Sequence, residues 1–121
     1  MKINSFEDLK VWKDCRILVK SIYQCTASGK FNKDFGLKEQ IQRASVSIMN
    51  NIAEGFERNN NKEYIKFLGY SKGSAAEVRS MLYVATDLDY ISKEKFNALH
   101  QLSVNINTQI SNFIKYLKNN S

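Results

Sequence analysis

His100 is the sole histidine among 121 residues, so a metal site would have to be built from cysteines and carboxylates. None of these cluster at ligand spacing. The two thiols, Cys15 and Cys25, lie ten residues apart. On one helix that is about 15 Å along the axis, beyond the roughly 7 Å between Cα atoms that a disulfide tolerates. They read as free, reduced thiols of a cytoplasmic protein. With no histidine near either, they do not read as nucleophiles. Glu54 and Glu57, and Asp87 and Asp89, are carboxylate pairs in ordinary contexts. Glu54, within Asn51-Ile52-Ala53-Glu54-Gly55, reads as a helix-end ion pair or cap. Di-iron bundles need Glu-x-x-His pairs and Walker loops need their glycine-lysine pattern; the chain has neither. The sequence predicts no catalytic residue, no metal and no cofactor: a protein that is not an enzyme.

The remaining chemistry is cationic. Lys and Arg number 18 against 12 Asp and Glu, giving a net charge of +6 and a pI of about 9.3. A small domain with that excess gathers polyanions at its surface. Lys10, Lys13, Arg16 and Lys20 form a stripe of about two and a half turns on a first predicted helix. Arg58, Lys62 and Lys66 form a second cluster at a junction between helices. Salt-sensitive contacts to phosphates need no special geometry, so such surfaces suffice for non-specific nucleic-acid binding. A Lys/Arg face is also what a plain solvated helix shows. Tyr23, Phe31, Tyr70 and Tyr116 would stack bases where exposed; burial in a core or interface is the competing reading.

Four segments must position these residues. Successive helical residues turn by about 100°. The absence of proline lets the helices run long. The first segment spans about 7–27, with Ser5 as N-cap; Val11, Trp12, Cys15, Leu18, Val19, Ile22 and Tyr23 face one way and the four cations the other. The second spans 35–58, capped by Asp34, with Leu37, Ile41, Ala44, Ile48, Ile52 and Phe56 inward and Glu39, Arg43, Asn50 and Glu54 outward. Asn59-Asn60-Asn61 marks a turn. The third spans 62–88. Its apolar residues surround most of the wheel, and Gly69, Gly73, Ala76 and Ser80 form a narrow small-residue stripe that predicts close helix packing. The fourth spans 93–117, capped by Ser92, with Phe96, Leu99, Leu102, Ile106, Ile110, Phe113, Ile114 and Leu117 on one stripe. Short connections predict an all-α, antiparallel up-down-up-down four-helix bundle in one domain. No stretch of 18 apolar residues exists and the N-terminus lacks a signal-peptide core, which predicts a cytoplasmic protein with no membrane association.

Several motifs in order carry a resemblance. They are Phe6-Glu7-Asp8-Leu9-Lys10-Val11-Trp12, Gln40-Ile41-Gln42-Arg43-Ala44-Ser45-Val46-Ser47-Ile48, Asn51-Ile52-Ala53-Glu54-Gly55-Phe56, Tyr64-Ile65-Lys66-Phe67-Leu68 and Gly73-Ser74-Ala75-Ala76-Glu77. Over residues 6 to about 91 the chain resembles the family of 23S rRNA intervening-sequence proteins, often encoded inside insertions in bacterial 23S rRNA genes. Two positions depart from the family pattern. Gln42-Arg43 stands where Arg-Arg is frequent, which removes one positive charge from a candidate binding face that keeps Arg43. Met49 stands where proline is common, which removes a kink.

The resemblance implies a four-helix bundle that assembles into a ring, with a homopentamer favoured, and no enzymatic activity. It also implies similarity to the accessory variability determinant of diversity-generating retroelements, a basic pentamer that binds nucleic acid and a reverse transcriptase. Five copies at +6 each would carry about +30, turning a weak stripe into a multivalent surface. The expected partner is nucleic acid, RNA before DNA. The alternative is a protein partner such as a reverse transcriptase.

Overall fold

The structure is a computed structural model that describes residues 3–120. Among these residues there is no strand. A short 3-10 helix, Phe6–Asp8, is followed by α1 (Lys10–Cys25), α2 (Gly29–Lys33), α3 (Phe35–Glu57), α4 (Asn61–Asp87) and α5 (Lys93–Asn119). The four long helices match the four predicted segments to within a few residues. α3 packs against α1 and α4, and α5 packs against the same two.

The first segment divides where the sequence predicts one helix. Leu9 takes an extended conformation (φ −73°, ψ 126°) between the 3-10 helix and α1. This break lets Leu9 turn into the core while Phe6 packs edge-on against Trp12, with ring centroids 5.2 Å apart. Ser5 caps no backbone amide; its hydroxyl donates to the Asp8 carboxylate at 3.2 Å. α1 closes at Thr26, which is fully buried. Its hydroxyl donates to the Ile22 carbonyl at 2.8 Å and accepts from the Gln42 side chain at 2.9 Å.

α2 is an element that the periodicity does not reveal. Five residues cannot show a helical stripe, and Ser28-Gly29 reads as a stop. Gly29 does adopt a left-handed φ of +67°, which glycine tolerates at no steric cost. The chain then coils once more to bury Phe31 completely against Tyr90, with ring centroids 5.3 Å apart. The same Tyr90 donates its hydroxyl to Asp34 Oδ2 at 2.9 Å, while Asp34 Oδ1 accepts from the Leu37 amide and caps α3. That hydrogen bond holds the Tyr90 hydroxyl above its ordinary pKa.

The predicted caps at Asp34 and Ser92 are present, and Asn60 caps α4 by accepting from the Glu63 amide. Asn59 carries the turn in a left-handed conformation (φ 59°), which asparagine adopts more readily than most residues. At this same end of α4, the Asn61 side chain lies 3.5 Å from the Leu117 carbonyl near the end of α5.

Leu18 and Ile22 of α1, Ile41, Ile48 and Ile52 of α3, Leu68, Val78 and Leu82 of α4, and Ile106 and Ile110 of α5 are fully buried. The closest seam joins α3 to α4. Ser71 Oγ donates to the Ile48 carbonyl at 2.8 Å, and the Ser74 and Ser47 hydroxyls lie 2.9 Å apart. A Cβ placed on Gly55 would stand 2.8 Å from Tyr64 Cδ1 and 2.9 Å from Phe67 Cβ. Gly55 is therefore a glycine because an aromatic residue of α4 crosses directly over it.

One expectation for α4 is corrected. The helix buries Tyr64, Leu68, Ser71, Ser74, Ala75, Val78, Met81, Leu82 and Ala85 between α3 and α5. The small residues that carry the tight packing are Ser71, Ser74 and Ala75. Gly69 sits two residues, and so about 200°, from Ser71 on the wheel. Gly69, Gly73, Ala76 and Ser80 all face outward, and a Cβ on Gly69 or Gly73 would meet nothing within 4 Å.

Candidate nucleic-acid interface

α1 buries Val11, Cys15, Leu18 and Ile22, which turns Lys13, Arg16 and Lys20 outward on its far side. The three cations do not project from a smooth helix. They rim an open groove of about 740 Å³ between α1 and α3, floored by Ile17, Val19, Val46 and Met49. Ile17 is 56% exposed. On the wheel Ile17 falls beside Lys13 and Lys20 rather than among the buried residues, and that signal is readable in the sequence.

Tyr23 closes one end of this groove and is 46% exposed, against the expectation that it faces the core. Tyr23 and Val46 also line a second, polar recess of about 510 Å³ on α3, completed by Gln42, Arg43, Ser47, Asn50, Asn51 and the carboxylates Glu39 and Glu54. Glu54 makes neither a cap nor an ion pair among the described residues; it is a wall of this recess. The sequence gives no functional signal for the asparagines and Gln42, because a polar outward face looks the same whether or not it is concave.

The candidate cations divide by environment. Lys10 pairs with Asp14 at 2.8 Å, and Asp14 also accepts from Gln109 of α5 at 2.8 Å. Lys10 thus belongs to the side of α1 that faces α5, apart from the other three. Burial raises the Asp14 pKa, but the hydrogen bonds from Lys10 and Gln109 and the Lys10 charge outweigh it and leave the carboxyl below its ordinary value. Arg43 pairs with Glu39 at 2.7 Å. Both partners are exposed, and such i,i+4 pairs contribute only about 0.3–0.5 kcal/mol, so a stronger anion displaces them at little cost. Arg16 lies over the Trp12 ring, 5.6 Å from its centroid, and Arg58 lies over Phe67 at 4.8 Å. Arg58 shares a shallow recess with Glu54 and Glu57, which dilute its charge. Lys62 and Lys66 are exposed on the first turns of α4. Neither ion pair involves Lys13, Arg16, Lys20, Lys62 or Lys66.

Groups with catalytic potential are occupied elsewhere. Burial, and then the Asp14 charge, push the Cys15 thiol up to about 12, and burial raises Cys25 as well. Both cysteines are free and protonated at neutral pH. His100 stacks on Phe96 at 5.3 Å. Gly69-Tyr70-Ser71-Lys72-Gly73 has the G-x-S-x-G spelling of a nucleophile elbow, a pattern that requires a strand-to-helix turn. Here it lies inside α4, and its serine is buried with its hydroxyl committed to the Ile48 carbonyl. Among the described residues no three His, Cys, Asp or Glu side chains could hold a metal ion, and no helix is long and apolar enough to cross a membrane.

A comparison with curated proteins finds no match. Among solved structures, the chain is similar to a protein of unknown function of the S23 ribosomal protein family from Bacteroides thetaiotaomicron VPI-5482. The TM-score is 0.79 at 24% identity, covering 87% of this chain and 98% of that one. That likeness establishes the fold. The family model for the 23S rRNA-intervening sequence protein matches residues 7–112. Spanning most of the chain and reaching into all four long helices, that match settles the lineage: this chain belongs to the 23S rRNA-intervening sequence protein family.

Proposed function

We propose that this protein is a non-enzymatic assembly protein that binds nucleic acid, RNA before DNA, through the α1–α3 face. The observation that carries this reading is the set Lys13, Arg16 and Lys20: three cations on one groove, none of them in an ion pair among the described residues. Unneutralised cations on a concave surface attract phosphates and release their counterions, which makes binding depend steeply on salt. Titrating a labelled structured RNA by fluorescence anisotropy over a salt series tests this. Affinity that weakens steeply with salt is expected; no binding at low salt, or binding indifferent to salt, contradicts it.

The four long helices form an antiparallel up-down-up-down bundle in this reading. Supporting it are the proximity of the start of α4 to the end of α5 and of the loop after α4 to the start of α3. Copies of the chain associate into a ring, with a pentamer favoured. The support is the outward face of α4, where Gly69, Gly73 and Ala76 leave room for close approach beside exposed Tyr83, Val84 and Leu88. Burial within one chain leaves these residues uncovered. Light scattering measures the assembly directly; a mass of 14.0 kDa for one chain across the micromolar range would contradict it.

The second reading is a scaffold for a protein partner such as a reverse transcriptase. The apolar floor of the α1–α3 groove favours it, since Ile17 and Met49 suit a partner helix. A reverse transcriptase gene beside this one supports the scaffold; a location inside an rRNA gene insertion supports RNA.

A further inference from the structure

We propose that the α1–α3 groove is a site for an unpaired stretch of nucleic acid, with Tyr23 as the platform on which one base stacks. This rests on the nucleic-acid reading above and narrows it to a strand state and a residue.

The groove's shape argues against a duplex. A double helix presents phosphates on a convex surface and keeps its base faces stacked inside. It would meet Lys13, Arg16 and Lys20 but leave Ile17, Val46 and Met49 without a partner. An unpaired strand offers both surfaces at once, with charged phosphates along one side and apolar base faces along the other. Lys13 to Lys20 spans seven residues, about 10 Å of helix, which matches about three phosphates of a stacked strand at ~3.4 Å each.

Tyr23 stands where the apolar groove meets the polar recess, lining both. Its ring is half exposed and packs against no other aromatic ring among the described residues. Beyond it lie amides with capacity to spare. The Asn51 Nδ2 donates to the carbonyl and hydroxyl of Ser47, which leaves Oδ1 as an acceptor. The Gln42 Nε2 donates to Thr26, which leaves Oε1. Asn50 is exposed and its side chain makes no hydrogen bond among the described residues. Such groups pair with the edge of a base that is already splayed from its neighbours. A base seated on Tyr23 would present its edge to them while its phosphate reaches Lys20.

The test compares one labelled RNA of about 12 nucleotides, single-stranded and annealed to its complement, against wild type, Tyr23→Ala and Tyr23→Phe. Thermal melting of each variant confirms folding, which an exposed residue should not disturb. The single strand is expected to bind at least about tenfold more tightly than the duplex. Tyr23→Ala should weaken single-strand binding by about 5- to 100-fold and leave duplex binding unchanged; Tyr23→Phe should keep near wild-type affinity. Equal binding of both forms with a silent Tyr23→Ala would overturn this inference and leave the broader nucleic-acid reading standing. If neither form binds at low salt, both readings fail. A synthetic acidic amphipathic helix that binds in a Tyr23-dependent manner, where the strand does not, would overturn it in favour of a protein partner.

Discussion

The α1–α3 face and the outer face of α4 both expose apolar side chains and differ in shape and in the charges around them. The first is concave, floored by apolar side chains and rimmed by Lys13, Arg16 and Lys20. The second runs along one helix, is built on Gly69, Gly73 and Ala76, and towards its end sets Tyr83, Val84 and Leu88 among Glu77 and Asp87. Exposed apolar surface alone does not say what covers it. Its surroundings narrow the choice: the α1–α3 groove offers cations outside any ion pair among the described residues, whereas the middle and end of the outer α4 face set small residues beside acids, with Lys62 and Lys66 confined to its first turns. In the proposed reading, ligand and assembly fall on different sides of the molecule.

The largest effect should come from removing the charge that distinguishes the two faces. A chain carrying Lys13→Gln, Arg16→Gln and Lys20→Gln should lose RNA affinity by on the order of 10- to 100-fold at low salt. Replacing Glu77 and Asp87 by Gln should not reduce it. Anisotropy titrations of both variants check the pair, and equal losses would erase the distinction between the faces. Next in size is a test of the two sides of α4. Gly55→Ala pushes a methyl into Tyr64 and Phe67 of its inner face and should cost about 1–3 kcal/mol, read as a lowered denaturation midpoint. Gly73→Ala, with open space around it, should instead raise the stability of the single chain by about 0.5–1 kcal/mol, because glycine is a poor helix former. A gain at Gly55 or a loss at Gly73 in the isolated chain would show that the inner and outer faces are misassigned.

The smallest effect concerns the opposite side of α1. The Asp14 carboxyl sits below its ordinary value in the folded chain. Its contribution to stability is therefore fully present above the ordinary carboxylate range and is lost as pH falls through the lowered value. Asp14→Asn should flatten the decline in melting temperature below about pH 4 while leaving RNA binding by Lys13, Arg16 and Lys20 unchanged. An unaltered acid limb would mean that the Lys10 and Gln109 contacts contribute nothing in solution.

The four long helices were legible because their apolar residues repeat over many turns, as in Ile41, Ile48 and Ile52, and because Asp34 and Ser92 cap with side chains suited to it. α2 was not, since one turn has no period and its anchor, Phe31, is held by Tyr90 from far along the chain. The division at Leu9 has no signature in the sequence for a similar reason: a leucine fits a helix until tertiary burial favours an extended residue. The wheel placed three of the groove cations together, yet it grouped Lys10 with them, because the partner that draws Lys10 away acts through Gln109, 95 positions beyond Asp14. The small-residue stripe of α4 was visible but its direction was not; a glycine marks close approach only where another helix arrives, and Gly55 received one while Gly73 did not. Concavity, the property that joins Tyr23 to Asn50 and Asn51, has no one-dimensional signature.

The central claim is that uncompensated cations on the α1–α3 face hold nucleic acid. The slope of log affinity against log salt for a single-stranded RNA tests it most directly. Three phosphate contacts predict a slope of about −2 in the wild type, falling towards zero in the variant lacking Lys13, Arg16 and Lys20. A slope near zero in the wild type, or a steep slope that survives loss of those three cations, would contradict it.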